Sequence, residues 1–321
     1  MTKKILVTGS SVRSEFLRPL VEAGYVVENP PHLLSESALK EALGNSVAYL
    51  LGGDEYASRN ALASAKGLKV IAFLGMGYQS FVDVAAAKEF NIPITNTPGT
   101  LSNSVAEFTV GLLLNSTRRM FLYASEYTAG RSGKEEKERD LSSLHVGIVG
   151  LGGVGTRIAE IIRNGFNSRV SYYSRTRKYS EEQRLALSYA SLDQLASEVD
   201  VLIVMTPATT ETRGMIGKDQ ISKLKKRAIV INSARPDIVD PEALLEGLSA
   251  DQIGYAAFDG FYENPTDLVQ SLKKLIPSKL MVTGHIASLT HEARDGMARM
   301  ATNSILNILT SGRDQHIVNG A

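Results

Sequence analysis

Three glycines near the middle of the chain have the types and spacing that could bind a phosphate group. Gly150, Gly152 and Gly155 form a G-x-G-x-x-G pattern within HVGIVGLGGVGTRIAEIIRNG, between a predicted strand and a predicted helix. The motif requires this strand–turn–helix context, which disfavours the alternative of an ordinary glycine-rich turn. Gly150 permits a tight turn, Gly152 lets the backbone approach a pyrophosphate, and Gly155 lets helix and strand pack closely. The predicted phosphate-binding residues are Gly150, Gly152, Gly153, Val154 and Gly155.

A cationic segment follows the next predicted strand, at the place where a dinucleotide fold selects its cofactor. A fold that binds NAD usually has Asp or Glu there, to hold the ribose 2′-hydroxyl. Here Ser174 takes that place, and no acidic residue comes before Glu181. Guanidinium groups bind phosphate through paired, charge-assisted hydrogen bonds, so Arg175 and Arg177 favour the 2′-phosphate of NADP(H). Two alternatives remain for this segment: NAD(H) also binds, but more weakly, or the segment is a solvated basic turn without a ligand. The residues assigned to this segment of the site are Ser174, Arg175, Thr176 and Arg177.

Three further polar residues follow predicted strand ends in the second half of the chain. Arg235, Asp259 and His285 each come within three residues of such an end. Ligands of open parallel sheets bind beyond the carboxyl ends of the strands, where residues distant in sequence converge. Taken singly, Arg235 could be a structural ion-pair partner and His285 a core histidine. Their shared placement favours one site with a carboxylate-binding guanidinium and an imidazole that titrates near neutral pH.

The elements that must position these residues are strands that alternate with helices, a pattern typical of parallel sheets in α/β proteins. A length of 321 residues predicts two domains. The first series of predicted strands is Ile5–Thr8, Tyr25–Glu28, Val47–Leu51 and Leu68–Phe73. The second series is Val146–Gly150, Arg169–Tyr173, Val201–Met205, Ala228–Asn232, Tyr255–Phe258 and Leu280–Thr283. The predicted helices include Glu15–Ala23, Ala57–Ala65, Ser104–Tyr127 and Ala293–Leu309, and the charged stretch Gly130–Asp140 is predicted to be a solvated loop or helix end.

The composition narrows the classes of partner. A net charge of +1, from 35 Lys and Arg against 34 Asp and Glu, argues against a nucleic-acid or membrane-surface partner. The absence of cysteine excludes disulfides, thiolate metal sites and a cysteine nucleophile. The start MTKKILVTGS lacks the long apolar region of a signal peptide, and no stretch reaches the length of a membrane span. We expect a cytoplasmic protein, and we expect no metal because no His, Asp and Glu set has ligand spacing.

The chain resembles the D-isomer-specific 2-hydroxyacid dehydrogenase family over nearly its whole length. The motifs that carry the resemblance are GIVGLGGVG, DVLIVMTPATTETRGMI, VINSARPDIVDPEAL, YAAFDGFYENP, TGHIAS, LGMGYQSFVD and TPGTLSNSVAEFTVGLLL. The resemblance implies an α/β fold of two Rossmann-like, doubly wound parallel-sheet domains with a cleft between them. It implies a flavodoxin-like substrate-binding domain of residues 1–100 plus 289–321, and a dinucleotide-binding domain of residues 101–288. It also implies that the helix Ser104–Tyr127 belongs to the hinge and to a homodimer contact.

The same resemblance implies a reaction and a role for each matching residue. The reaction would be NADPH-dependent reduction of a small 2-oxo acid to the D-2-hydroxy acid, of the glyoxylate or hydroxypyruvate reductase kind. Arg235 would bind the substrate carboxylate and polarise the oxo group, His285 would donate the proton, and Asp259 would bind the nicotinamide side of the cofactor. The other residues implied are Gly75, Met76 and Gly77 for the substrate carboxylate, and Thr206, Pro207 and Thr109 for the cofactor.

One departure from the family concerns the residue that pairs with the catalytic histidine. The family usually pairs this histidine with a Glu, and the matching position here is Asn264. A carboxylate would raise the histidine pKa, whereas an amide can only orient the ring, so we predict a lower pKa for His285 than in Glu-bearing relatives. Alternatively, Glu263 pairs with the histidine through a one-residue shift of the loop. The formate-oxidising branch of the family also has an amide near its histidine, but this chain is short and lacks the acidic cofactor residue expected there. The departure leaves open an NAD(P)-sensing binding protein or a low-activity paralogue with the same fold.

Overall fold

The computed structural model describes residues 3–9, 12–131, 138–264 and 266–321. The chain divides into two compact units, one of Met1–Leu101 with Leu289–Ala321 and one of Ser102–Ser288. The middle of the charged stretch at 130–140 lies outside the described residues. Among the described residues, no helix combines the length and the apolar character that a membrane span needs.

The first unit contains a parallel sheet of five strands within the described residues, in the order β2-β1-β3-β4-β5. Its strands are β1 Lys4–Thr8, β2 Val26–Glu28, β3 Ser46–Leu51, β4 Ile71–Phe73 and β5 Ile94–Thr95. Its helices are α1 Ser14–Glu22, α2 Glu36–Gly44, α3 Arg59–Ser64, α4 Val84–Glu89 and, at the end of the chain, α13 His291–Ser311. The two-residue strand β5 was not predicted, because so short a run has no readable alternation.

Helices cover both faces of the first sheet. Alternate residues of a strand point to opposite faces, so Leu6 of β1 packs in a different apolar cluster from Ile5 and Val7. The cluster around Leu6 contains residues of α2, α3 and α4, and the other cluster contains residues of α1 and α13. Helix α13 therefore completes the first unit although it ends the chain.

The second unit contains a parallel sheet of seven strands within the described residues, in the order β12-β11-β10-β9-β6-β7-β8. Its strands are β6 His145–Val149, β7 Arg169–Tyr173, β8 Ser188–Tyr189, β9 Val201–Val204, β10 Ala228–Asn232, β11 Ile253–Asp259 and β12 Leu280–Thr283. Its helices are α5 Ser102–Arg118, α6 Met120–Thr128, α7 Gly153–Phe166, α8 Tyr179–Leu185, α9 Leu192–Glu198, α10 Lys218–Lys223, α11 Pro241–Ser249 and α12 Asp267–Lys273. The strand order reverses at β6, and parallel α/β sheets bind ligands beyond the carboxyl ends of the strands at such a reversal.

The second sheet is also buried on both faces. Val146 and Ile148 of β6 pack in a cluster with residues of α5 and α7, whereas Val149 packs with residues of α9, α10 and α11. This double burial explains why the strands of the second unit read as nearly continuous apolar runs.

The single helix predicted over Ser104–Tyr127 is wrong in one respect, because the structure has two helices there. Arg119 separates α5 from α6 with a φ of 50°, in the left-handed region that ends a helix. The carboxamide oxygen of Asn115 accepts the backbone N–H of Phe121 at 2.8 Å. The Arg119 guanidinium donates to the carbonyls of Ser278 and Gly254, at 3.1 and 3.2 Å. These contacts hold the break in place against the rest of the unit.

Candidate active site

The glycine turn after β6 has the close approaches that require glycine. Gly150 has a φ of +104°, and a Cβ on it would lie 2.5 Å from the carbonyl oxygen of Met205. A Cβ on Gly155 would lie 2.1 Å from the carbonyl oxygen of Gly150. The turn therefore packs closely against the backbone that follows β9, and α7 packs closely against the turn, at the point where the strand order reverses.

The backbone at Gly152 is open, in contrast to its two neighbours in the motif. A Cβ there would meet no heavy atom within 4 Å. Gly152 is also the N-cap of the 14-residue helix α7, with no side-chain cap, and Gly153 and Val154 begin its first turn. Uncapped N–H groups at a helix N-terminus bind anions, so these residues fit the pyrophosphate of a dinucleotide.

The cationic segment after β7 presents its two arginines differently. Arg175 is exposed and forms no ion pair with a residue that the structure describes. Arg177 is held by Glu182: its Nε and Nη2 donate to the two carboxylate oxygens, each at 2.8 Å. The Ser174 hydroxyl donates to the carbonyl of Thr176 at 2.6 Å, which closes the turn. The structure thus leaves Arg175 as the arginine without an ion pair among the described residues, although its charge is among the causes that lower the pKa of Glu211.

Sequence reasoning missed Glu182. The Tyr172 hydroxyl donates to Glu182 Oε1 at 2.7 Å and accepts the backbone N–H of Lys178 at 2.7 Å. The Arg177 guanidinium, followed by the Tyr172 hydroxyl, lowers the pKa of Glu182 to about 2. Burial raises the pKa of Tyr172 to about 12. The available signal was a pair of acidic residues at the start of α8, four and five residues beyond Arg177.

Arg235 and His285 lie next to each other beyond β10 and β12. Arg235 Nη1 lies 3.4 Å from His285 Nε2 and donates to the carbonyl of Ala234 at 2.8 Å. Loss of hydration, followed by the charge of Arg235, lowers the pKa of His285, and Asp259 opposes this effect. Burial lowers the pKa of Arg235, which Asp259 also opposes. A guanidinium and an imidazole are therefore available to one small ligand.

Asp259 shapes the loop that carries His285. Its Oδ1 accepts the Thr283 hydroxyl at 2.7 Å and the backbone N–H of Ile286 at 2.8 Å, and its Oδ2 accepts the N–H of Ala287 at 2.8 Å. His285 has a φ of 57° within this loop. The carboxylate of Asp259 therefore positions the histidine, a role that sequence reasoning did not assign to it.

The histidine ring also needs the glycine that follows Asp259. A Cβ on Gly260 would lie 3.2 Å from His285 Nδ1, and Gly260 has a φ of +90°. Among the described residues, no hydrogen bond joins His285 to Asn264 or to Glu263, and both of those residues are exposed. Instead the Asn264 carbonyl accepts the N–H of Thr266 at 2.8 Å. The described residues thus show no contact of Asn264 with His285, and the catalytic role of Asn264 stays a prediction.

The remaining predicted residues lie in varied surroundings. Thr206 and Pro207 follow β9, and the Pro207 carbonyl accepts the Thr212 hydroxyl at 2.6 Å. Thr109 is fully buried on α5, where its hydroxyl donates to the carbonyl of Val105 at 2.6 Å. Their contacts with a cofactor stay predictions. Within the described parts of the chain, no three His, Asp or Glu residues form a group that could hold a metal ion.

The glycine turn predicted to bind the substrate carboxylate lies in the first unit. The Gly75 N–H donates to Thr97 Oγ1 at 2.9 Å, so it is not available to a ligand. Met76 is 47% exposed, and its sulfur contacts the Asn96 amide. The substrate role of Gly75, Met76 and Gly77 stays a prediction. The N–H of Gly75 is not a donor for the substrate, because it already donates to Thr97.

Two features of this parallel sheet define a class of protein: a phosphate-binding turn at the strand reversal, and an arginine–histidine pair beyond the ends of β10 and β12. It is that of dinucleotide-dependent oxidoreductases, in which the fold supplies the cofactor site and the pair supplies the acid–base and anion-binding groups.

Comparison with known proteins assigns the family within this class. A model of the NAD binding domain of the D-isomer specific 2-hydroxyacid dehydrogenases matches residues 110–287. Glyoxylate/hydroxypyruvate reductase B of Yersinia pestis (strain Pestoides F) is 33% identical over 300 residues, which cover 92% of this chain and 89% of the relative. The crystal structure of the TT0316 protein from Thermus thermophilus is 31% identical, with a TM-score of 0.84 and coverage of 98% of this chain and 99% of that one. The structure of a D-2-hydroxyisocaproate dehydrogenase shares the fold, with a TM-score of 0.86, 21% identity and coverage of 99% and 100%.

The chain belongs to the D-isomer specific 2-hydroxyacid dehydrogenase family. It is an oxidoreductase that reduces a 2-oxo acid to a 2-hydroxy acid with a nicotinamide cofactor. These findings confirm the predicted family, the predicted fold of two parallel-sheet α/β domains and the predicted class of reaction.

Proposed function

We propose that this protein reduces a small 2-oxo acid of the glyoxylate or hydroxypyruvate kind to the D-2-hydroxy acid, with NADPH as the preferred cofactor. The observation that carries the proposal is the 3.4 Å approach of Arg235 Nη1 to His285 Nε2 beyond the ends of β10 and β12. The name of the Yersinia pestis relative supports the substrate class.

Each residue of the pair has a task that matches its chemistry. Arg235 binds the substrate carboxylate and polarises the adjacent carbonyl, because a planar guanidinium donates two parallel hydrogen bonds. His285, in its protonated form, donates a proton to the carbonyl oxygen. When bound, the reduced nicotinamide supplies the hydride that the carbonyl carbon receives. Asp259 keeps the His285 loop in place through its three hydrogen bonds.

The preference for NADPH is supported by the segment after β7. Ser174 stands where an NAD-selective fold has a carboxylate, and such a carboxylate would repel a 2′-phosphate. Arg175 is exposed there without an ion-pair partner among the described residues. One guanidinium without an ion pair among the described residues supports a preference rather than an exclusive choice, so NADH is expected to serve as a weaker cofactor.

Turnover of a panel of 2-oxo acids with NADPH and with NADH tests this function. We expect glyoxylate or hydroxypyruvate to be reduced, and we expect His285→Asn to lower kcat by a factor on the order of 10² to 10⁴. His291→Asn is the matched control, because this exposed histidine begins α13 and should leave kcat unchanged. Nucleotide binding without turnover of any 2-oxo acid would favour the alternative, a nucleotide-sensing binding protein, which rests on Asn264 in place of the usual family Glu.

We also propose that two copies of the chain associate through α6. This helix overlaps the C-terminal part of Ser104–Tyr127, the segment for which the family resemblance implies a homodimer contact. None of the residues of α6 is buried, although the helix carries several large apolar side chains. Met120 is 51% exposed, Phe121 40% and Tyr127 83%. A second copy of the same helix would remove these side chains from water.

A further inference from the structure

We infer that Glu182 is a specificity-determining residue, because it holds Arg177 and withholds this guanidinium from the 2′-phosphate of the cofactor. The inference rests on the proposed function, since it concerns the segment after β7 that is proposed to bind that phosphate. It explains why a segment with three cations would prefer NADPH only moderately. It also identifies one carboxylate that limits the preference.

The contact between the two residues is a complete bidentate ion pair. Arg177 Nε and Nη2 each lie 2.8 Å from a carboxylate oxygen of Glu182. A guanidinium recognises phosphate through the same kind of paired donation that it gives to a carboxylate. Glu182 therefore already occupies the Nε–Nη2 edge that a phosphate would use.

Neighbouring groups hold the carboxylate in this place. The side chain of Glu182 is only 13% exposed. Its Oε1 also accepts the hydroxyl of Tyr172, and that hydroxyl in turn accepts the N–H of Lys178. The ion pair is thus tied both to β7 and to the cationic segment itself, and a cofactor phosphate would have to displace a supported partner.

The faces of the Arg177 guanidinium are also occupied. Its central carbon lies 4.7 Å from the ring centroid of Tyr179 and 5.3 Å from that of Tyr189. Stacking on aromatic rings and bonding to Glu182 fix the orientation of this side chain. Rotation of Arg177 toward another anion would give up both kinds of contact.

The charges in the segment lead to the same conclusion. Glu182 is ionised at neutral pH, because its ion pair with Arg177 lowers its pKa to about 2. The positive charge of Arg177 is therefore offset locally, and a 2′-phosphate would meet the charge of Glu182 as well. The guanidinium left for the phosphate is that of Arg175, which has no such partner among the described residues.

A double-mutant cycle with two nucleotide fragments tests the inference. The ratio of the dissociation constants of AMP and 2′,5′-ADP, measured by calorimetry on the full chain, reports the contribution of the 2′-phosphate without any turnover. The variants are Glu182→Gln, Arg177→Met and the two combined, with Arg175→Met to test the proposed preference. Glu181→Gln is the matched control, because it removes the same charge from the neighbouring residue, whose partner is Arg184.

We expect Glu182→Gln to raise the preference for 2′,5′-ADP by about tenfold, as one freed charge-assisted contact to phosphate would. Arg177→Met should abolish the gain when it is combined with Glu182→Gln. Alone, Arg177→Met leaves the carboxylate of Glu182 without its counter-charge, so it should lower the ratio. Glu181→Gln should leave the ratio unchanged. Should Glu182→Gln fail to fold, Glu182→Asp shortens the carboxylate and is expected to give a smaller gain of the same sign.

Two results would overturn the inference: no gain on removal of Glu182, or a gain that persists without Arg177. Failure of the proposed cofactor preference is distinguishable from these. In that case the wild-type ratio would be close to one and Arg175→Met would not change it, while the cycle between residues 177 and 182 would still decide the role of Glu182.

Discussion

His285 lies beside a guanidinium and has no hydrogen-bonded carboxylate among the described residues. Loss of hydration and the charge of Arg235 lower its pKa. Reduction uses the protonated ring, so the rate should fall as pH rises through this pKa. A bound substrate carboxylate would offset the charge of Arg235. The pKa that appears in kcat should therefore lie above the one that appears in kcat/KM, because the first reports the substrate complex and the second the free enzyme.

Asn264→Glu should move the falling limb of the kcat/KM profile to higher pH. The family resemblance implies that a Glu at this position pairs with the histidine. A carboxylate near the imidazole favours its charged form, so we expect a shift of about one pH unit. Asn264→Gln is the control, because it adds the same length without the charge and should leave the limb in place. The measurement is reductase activity across pH 5 to 9 at subsaturating substrate. An unmoved limb in Asn264→Glu would show that residue 264 does not act on His285.

Some single residues were predictable from the sequence and others were not. The tasks of Gly150 and Gly155 follow from a motif whose spacing fixes the backbone geometry, and the structure has the close approaches they imply. The pairing of Arg177 with Glu182 did not follow, because a run of cations does not show which of them has a partner across a turn. The bond from the Gly75 N–H to Thr97 Oγ1 was likewise not predictable, because it joins residues 22 positions apart in the sequence.

Helix α6 shows what periodicity misses between elements. The prediction of a single helix over Ser104–Tyr127 rests on the helical spacing of apolar residues that all lie in α5: Val105, Phe108, Leu112 and Leu113. The break at Arg119 depends on the Asn115 side chain and on carbonyls of Gly254 and Ser278, all of them contacts made only after folding. The break starts a new helix whose apolar side chains stay in water. This exposure makes α6 a candidate for assembly.

Phe121→Glu should weaken a dimer that forms through α6. We expect the wild type to sediment as a dimer and the variant to dissociate at least about tenfold more readily, because a charge buried in an interface is costly. Val21→Glu is the control, since Val21 is an exposed apolar residue of α1, 56% accessible, and should not change the sedimentation. Sedimentation velocity over a range of concentrations provides the measurement. A wild-type monomer, or an unchanged dimer in Phe121→Glu, would contradict the proposed contact.

The whole chain follows from the rule that a parallel sheet must be covered on both faces. Alternating strands and helices satisfy this rule in each of the two units. In the first unit α13 is needed as well, because α1 alone would leave the face of Ile5 and Val7 partly open. The fold was predictable at this level because apolar periodicity repeats in every element. Each polar contact between distant elements involves one particular pair of residues. Such contacts follow no periodic pattern, so the sequence does not predict them.

One such contact links β6 to its neighbours and should make the free energy of unfolding depend on pH. His145 is 7% exposed, and its Nδ1 and Nε2 lie 3.1 Å from the Glu198 carbonyl and 2.8 Å from the Ser171 hydroxyl. Burial, followed by the charge of Arg169, lowers its pKa below the ordinary value of 6.5. The unfolded chain therefore takes up the proton first as pH falls. The contribution of His145 to the free energy of unfolding is fully present above about pH 6.5, and it is lost as pH falls toward the lower pKa of the folded state.

His145→Asn should remove that dependence. We expect the variant to lose about 1 kcal/mol at pH 8, where a satisfied buried ring is replaced, and to show a flatter free energy of unfolding between pH 7 and pH 5. The pKa of His285 is lowered as well, so both chains are compared in a His285→Asn background that removes its contribution. Glu182 titrates near pH 2, outside this window. Urea unfolding at half-unit steps of pH gives the slopes, and equal slopes in the two chains would show that His145 is not the group responsible.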